Sequence, residues 1–306
     1  MTRLSSRSFL RQLDLGTLDL FLLILDSGSI ARAAEHGRLA ASAVSKRIAE
    51  LEVLVGSPLF ERHARGVHPT RAGERLARHA RTLVNDVEHL RQDINRFTEG
   101  VQGTVRVCAS ASALEQFLPA DLASFAESNP DIRIDLRQGS SRVVAHAVQG
   151  RKAELGICGD CEEVAPLQSR AYRMERLVLV TPPGHPLARW DTLEFAEALD
   201  FEQVGLRGSS TVQATLNQVA RSAGRELRQR LEVDSLSALC RMVECGIGIG
   251  VMPLGALQAM GEQRLHAATL ADAWAVRPLR LYAIDFGNLS PAAGCFVERL
   301  TADVDA

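Results

Sequence analysis

Apolar positions over residues 15–73 fall into short helical groups divided by glycine. Leu18, Phe21, Leu22 and Leu25 recur at helical spacing and predict a first helix with one buried face. Asp26-Ser27-Gly28 closes it. Ser29 is placed to cap a second helix, Ile30–His36, whose Ala33-Ala34 pair permits close helix packing. Gly37 is expected to end that helix in a left-handed conformation. A third helix is predicted from about Ser42, its cap, to Val55. Val44, Ile48, Leu51 and Val55 face inward there, and Ser42, Ser45, Lys46 and Ala49 face the other way. After the Gly56-Ser57-Pro58 turn, Leu59 and Phe60 return to the core, and Arg62, His63, Arg65 and His68 gather around Gly66. Alone, such a basic cluster reads as a solvated loop. Directly after two short helices, a glycine turn and a longer helix, it reads as the wing of a winged helix-turn-helix. That unit places one helix in the DNA major groove and a basic hairpin on the flanking phosphates.

Between Gly73 and Phe97 the chain has neither proline nor internal glycine. Leu76, Ala80, Leu83, Val87, Leu90, Ile94 and Phe97 alternate at spacings of four and three, a heptad seam with charges between. One helix packed on its own domain is one reading; the narrowness of the seam favours a partner helix. Glu99 to Gly103 then forms a hinge. Beyond it the pattern changes period. Strands are predicted at 104–108, 132–136, 154–158, 177–181, 203–206, 231–233 and 279–284, with a glycine-spaced strand entry at 246–253. Residues 109–113 are expected to form a small-residue loop, and helices are expected around Leu118–Phe125 and Val143–Val148. Strand and helix in alternation imply an α/β domain with a mostly parallel sheet.

Charge sharpens this division. Residues 1–100 carry 15 basic and 12 acidic side chains, a net of +3, against −5 for the remainder. A basic front on an acidic body suits a nucleic-acid-binding head. No apolar run approaches the ~20 residues that span a bilayer. Arg3 and Arg7 are followed by no sustained apolar stretch, so no signal peptide is read and a cytoplasmic location is expected. The six cysteines (108, 158, 161, 240, 245, 295) show no metal-ligand spacing, and neither metal nor cofactor is expected. Cys158-Gly159-Asp160-Cys161 leaves a thiol- or redox-responsive alternative open. No nucleophile elbow, zinc-protease motif or P-loop supports an enzyme. A solute-binding protein, the remaining rival class, would leave residues 15–73 unexplained.

The first region resembles the N-terminal domain of LysR-type transcriptional regulators. The resemblance rests on Leu18-x-x-Phe21, Gly28-Ser29, Ala33-Ala34, Ala43-Val44-Ser45, Ile48, Leu51-Glu52, Gly56, Pro58 to Arg62, Arg65-Gly66-Val67 and Thr70-x-x-Gly73. Leu118-Pro119, Gly150 before Glu154 to Ile157, Val178 to Val180, His185 to Ala188, and Gly246-x-Gly248 with Met252-Pro253 extend it over about residues 13–300. Three departures stand out. Ala40-Ala41 replace the usual Ser/Thr-Gln that opens the third helix, Gly37 replaces a leucine, and Pro69 replaces the leucine of the wing. The first puts the family's usual base contacts in doubt.

The resemblance implies a winged helix-turn-helix at 13–73, a linker dimerisation helix at 74–99, a hinge at 100–103 and an effector domain at 104–301. That domain has two α/β lobes, like type 2 periplasmic binding proteins, with lobe one at about 104–164 and 268–301 and lobe two at about 165–267. DNA contacts are expected from Ser29, Arg32, Ser42, Ser45, Lys46, Arg47, Arg62, Arg65 and His68, and dimer contacts from Leu76, Leu83, Val87, Leu90 and Ile94. Ser110, Ser112, Ser140, Ser209 and Ser210 lie in loops expected to face a cleft, where a small anionic effector would bind, with Arg207 as a counter-charge. Serines in such loops also serve simply as helix caps. The implied partners are double-stranded promoter DNA, the effector, a second copy of the chain in a dimer or tetramer, and RNA polymerase; no membrane is implied.

Overall fold

The structure is a computed structural model and describes residues 6–63, 66–99, 101–160, 167–207, 211–261 and 264–302. The chain divides into two compact units near Ile94.

The first unit holds α1 (Ser6–Gln12), α2 (Leu15–Ser27), α3 (Ile30–His36), α4 (Ala41–Val55), β1 (Phe60–His63), β2 (Gly66–Pro69) and most of α5 (Arg71–Glu99). Asp14 starts α2 by accepting from the Thr17 amide at 2.9 Å and the Thr17 hydroxyl at 2.7 Å. The hydroxyl bond is the main reason the Asp14 carboxyl is held below its ordinary range. Leu18, Phe21 and Ile24 of α2, Ala33 and Ala34 of α3, and Val44, Ile48 and Leu51 of α4 form one core with Leu59.

Two details of the helix-turn-helix differ from expectation. Gly37 is right-handed, with φ −76°, and the left-handed residue is Arg38. A Cβ at 37 would lie 2.9 Å from Leu20 Cδ2, the tip of a side chain that can shift, and 3.3 Å from Ala33 O, so a larger residue there needs a small repacking. Ser42 is not a cap but lies inside α4; the cap position is Ala40, whose side chain cannot accept a hydrogen bond.

The second unit begins with β3 (Gly103–Ala109), α6 (Ala111–Gln116), α7 (Leu118–Ser128), β4 (Ile132–Gln138), α8 (Ser141–Gln149) and β5 (Leu155–Gly159). It continues through β6 (Gln168–Thr181), β7 (Thr192–Leu193), β8 (Gln203–Leu206), α9 (Thr211–Ser222), β9 (Gln229–Val233) and α10 (Leu236–Glu244). It ends with β10 (Gly250–Pro253), α11 (Leu254–Ala259), β11 (His266–Leu270), β12 (Val276–Ala283) and α12 (Pro291–Thr301). The expected loop at 109–113 is thus largely the start of α6.

Strand order is β4-β3-β5-β12-β6, with β3 parallel to β4 and β5, and β12 antiparallel to both β5 and β6. The sheet is therefore mixed rather than mostly parallel. The 14-residue β6 continues into lobe two, where its last residues pair antiparallel with β10 and β11. There Leu177 and Leu179 enter one apolar cluster and Val178 and Val180 another. A strand covered on both faces reads as an unbroken apolar run, which is how 177–181 looks in the sequence.

The lobe boundaries implied by the resemblance need correction. Residues 168–176 belong to lobe one, because they pair with β12 and because Tyr172 sits in the lobe-one core. Its hydroxyl donates to Asp121 of α7 at 2.5 Å, and Arg173 pairs with the same carboxylate at 3.2 Å. Residues 268–275 belong to lobe two, where Ala268, Leu270 and Ala275 are buried. Lobe one resumes at β12.

Candidate functional site

In the first unit, α4 buries Val44, Ile48 and Leu51 and leaves Ser42, Lys46, Ala49 and Val53 exposed, with Ser45 half-buried. Lys46 is paired loosely with Glu50 at 3.9 Å and points away from the core. Arg47 sits on the flank instead, 4.0 Å from the Asp14 carboxylate. Ser29 caps α3 by accepting from the Arg32 amide at 3.4 Å, and Arg32 is exposed.

The wing is an antiparallel hairpin in the register Phe60↔Pro69 to His63↔Gly66. Arg62 lies in β1 and His68, exposed, in β2; Arg65 lies outside the described residues. The hairpin is fixed to the helix-turn-helix by its backbone. Val67 N–H donates to Gly28 O at 3.1 Å, and a Cβ on Gly66, whose φ is +134°, would lie 2.7 Å from that oxygen. Glu52 accepts from the Leu59 and Phe60 amides at 2.7 and 3.3 Å. Thr70 accepts from Gly73 N–H and donates to Pro58 O, and a Cβ on Gly73 would collide with Leu59 O. These contacts explain Glu52, Gly66, Thr70 and Gly73 as the parts that hold the wing.

Helix α5 buries Ala77 and Ala80 against this core, and Leu76 packs beside them. Leu83, Val87, Leu90 and Ile94 continue the seam but are 40%, 45%, 59% and 59% exposed. The stripe is covered at its start and open beyond.

In the second unit a cavity of about 250 Å³ lies between the lobes. On the lobe-one side it is lined by Ser110, Ser112, Gln138, Ser140 and Ser141, and on the lobe-two side by Leu206, Arg207, Val212, Asp234 and Ser235. Three of these serines are helix caps. Ser110 accepts from Ala113 N–H at 3.3 Å, Ser140 from Val143 N–H at 3.5 Å and Ser235 from Ala238 N–H at 3.2 Å. A capping hydroxyl that accepts from its own helix offers a ligand its O–H as a donor. The starts of α8 and α10 add the positive ends of two helix dipoles.

Arg277 also lines the cavity. Its Nε donates to Glu175 Oε1 at 2.5 Å, and Gln116 Nε2 donates to Glu175 Oε2 at 2.9 Å. Arg277 and Glu175 face each other across β12 and β6, at the start of β12 and just before β6 enters lobe two. Arg207 pairs with Asp234 at 3.8 Å on the exposed rim.

The cavity thus brings Ser110, Ser112 and Ser140 together with Arg207, while Ser209 and Ser210 lie outside the described residues. Ser141, beside Ser140 in the same loop, also lines it, and Ser235, Gln138 and Arg277 were missed. Asp234-Ser235 follows a strand and opens a helix, the same signal that marked Ser110. Arg277 carries no local signal, because its role depends on a partner 102 residues away.

The thiols stand apart from this chemistry. Cys158 is fully buried in β5, and Cys161 lies outside the described residues. Burial pushes the Cys108 thiol up and, with the charge of Glu244, moves Cys240 up to about 11, so neither is readily a thiolate. Among the described residues no helix is long and apolar enough to cross a membrane.

Comparisons with known proteins agree with both units. Residues 15–74 match "Bacterial regulatory helix-turn-helix protein, lysR family", and residues 98–305 match "LysR substrate binding domain". The transcriptional dual regulator GltC of Bacillus subtilis is 25% identical over 242 residues, 79% of this chain and 81% of its own length. The structure of full-length CbnR in complex with its target DNA is similar in fold, with a TM-score of 0.68 at 18% identity, covering 95% of this chain and 99% of that one. The effector-binding domain of QuiR in complex with shikimate aligns with a TM-score of 0.59 at 17% identity, covering 66% of this chain and 97% of that one. The chain therefore belongs to the LysR family of bacterial transcriptional regulators, a DNA-binding helix-turn-helix joined to a substrate-binding domain.

Proposed function

We propose that this regulator works as a dimer whose promoter contacts are altered by a small anionic molecule held in the cleft between the lobes. The observation that carries the reading is the convergence of Ser110, Ser140 and Ser235, each capping a helix, with Arg277 around one cavity. Donors dominate that wall, and donors select anions. The QuiR complex, in which a carboxylate-bearing ligand occupies an effector-binding domain of the same fold, supports it.

On the DNA side, Ser42, Ser45 and Lys46 form the groove-facing side of α4. Arg62, Arg65 and His68 contact phosphates from the wing, and Ser29, Arg32 and Arg47 lie on the flanks. The open stripe of Leu83, Val87, Leu90 and Ile94 joins two copies, while Leu76, expected with them, packs on the chain's own core. The protein acts by binding and not by catalysis, in the cytoplasm where promoters are, and communicates with RNA polymerase from the promoter.

The test starts from a thermal-shift screen of carboxylates and inorganic anions. Ser110→Ala and Ser140→Ala are then expected to weaken the binding of the anion found by roughly tenfold or more, the value of a hydroxyl donor to a charged group. Each also loses a cap, which costs about 1 kcal/mol of stability. DNA affinity without the anion should stay nearly unchanged. Unaltered anion binding in both variants would place the ligand elsewhere.

A further inference from the structure

Lobe one has a second cavity, of about 160 Å³, lined by residues of β3, β4 and α8. Helix α8 packs on β5, β3 and β12, and β4 is the edge strand beside them. In the parallel register of β3 and β4, Arg106 stands opposite Asp135 and Cys108 opposite Arg137. All four line the gap, and Lys152 closes its far side.

The rim therefore holds three cations, Arg106, Arg137 and Lys152, and one carboxylate, Asp135, which already pairs with Arg137 at 3.5 Å. The floor is apolar. Cys108 and Ala153 are buried there, and Val143 and Ala147 form the wall from α8. An apolar cavity of roughly 150 Å³ takes up a benzene-sized body. Arginine and lysine at its mouth suit a carboxylate.

We propose that this cavity is a second ligand site, separate from the cleft, for a small monocarboxylate with a compact apolar body of about five carbons. It also adjoins the cleft. Gln138 lines both cavities. The next residue, Gly139, is wedged between them, since a Cβ there would lie 2.7 Å from Val143 Cγ1 and 3.5 Å from Cys108 Sγ. An occupant that presses on Val143 or Cys108 moves the 138–141 segment that forms one cleft wall. Occupancy of the two sites is then coupled, with the same factor in both directions.

The site is tested on the full chain by calorimetric titration with pentanoate and cyclopentanecarboxylate. The wild-type protein is expected to bind at least one of them saturably. Arg137→Ala/Lys152→Ala and, separately, Val143→Glu should each weaken that binding at least tenfold. All three residues are exposed, so these variants should fold, and their thermal transitions confirm it. Ser110→Ala, which alters the cleft, distinguishes the two sites and should leave the titration unchanged. Absence of saturable binding overturns the proposal. So does binding that survives both rim variants and is lost in Ser110→Ala, which would assign these carboxylates to the cleft and leave the cleft reading intact.

Discussion

A Leu83→Lys/Leu90→Lys variant is expected to sediment as a monomer and to lose most of its affinity for a two-half-site promoter. In a single chain Leu83, Val87, Leu90 and Ile94 are each roughly half exposed, while Leu76 and Ala80 of the same seam are covered by the protein's own core. Burying the exposed half of such a side chain contributes about 1 kcal/mol, and two copies supply eight of them. Two lysines per chain remove that gain and bring like charges together in an apolar seam. Joining two DNA-binding heads raises overall affinity by about 10²–10⁴ over one, and that factor is what the variant forfeits. The fold of each head should survive, because neither position belongs to its core. Sedimentation velocity and a gel-shift titration read both effects, and an unaltered oligomer would refute the seam.

Glu175→Ala is expected to destabilise the second unit by about 3 kcal/mol, the lower end of the range for breaking a buried ion pair. The Glu175 side chain is fully buried and that of Arg277 is 17% exposed, which is why the lower end applies. The substitution removes the carboxylate to which the Arg277 guanidinium and the Gln116 amide both donate. A Glu175→Leu/Arg277→Met double variant removes both charges and should recover much of the stability while losing the anion at the cleft. Urea unfolding followed by circular dichroism measures the first effect, and titration with the anion measures the second. A loss below about 1 kcal/mol for Glu175→Ala would show that the pair does not hold the start of β12.

How far the sequence revealed this molecule depends on whether the relevant partners are near in the chain. The α4 stripe of Val44, Ile48 and Leu51 was legible because helical periodicity reports burial directly. Ser29 and Ser110 were legible because a cap and the N–H that donates to it lie three residues apart. Gly37 was read as left-handed, whereas the positive φ falls one residue later, on Arg38. Ala40 shows a helix beginning without a side-chain cap, because the α4 core stripe holds it in place. The first half of β6 was missed because Gln168 to Arg176 is mostly exposed, with Tyr172 and Glu175 buried and Arg173 half-buried. Tyr172 reaches Asp121, and Glu175 reaches Gln116 and Arg277, all more than 50 residues away, so neither leaves a local pattern.

Residues 15–73 of two copies are expected to hold promoter DNA through α4 and the wing, and the salt dependence of binding reads this contact. The target is a promoter fragment selected by genomic footprinting with the purified protein, and affinity is followed by fluorescence anisotropy from about 50 to 200 mM salt. Log K is expected to fall steeply and linearly with log salt. Lys46→Ala and Arg62→Ala should each lower the slope by about 0.9 per head, and so by nearly two for the dimer. Slopes that match the wild type in both variants would show that the phosphates are held by some other surface.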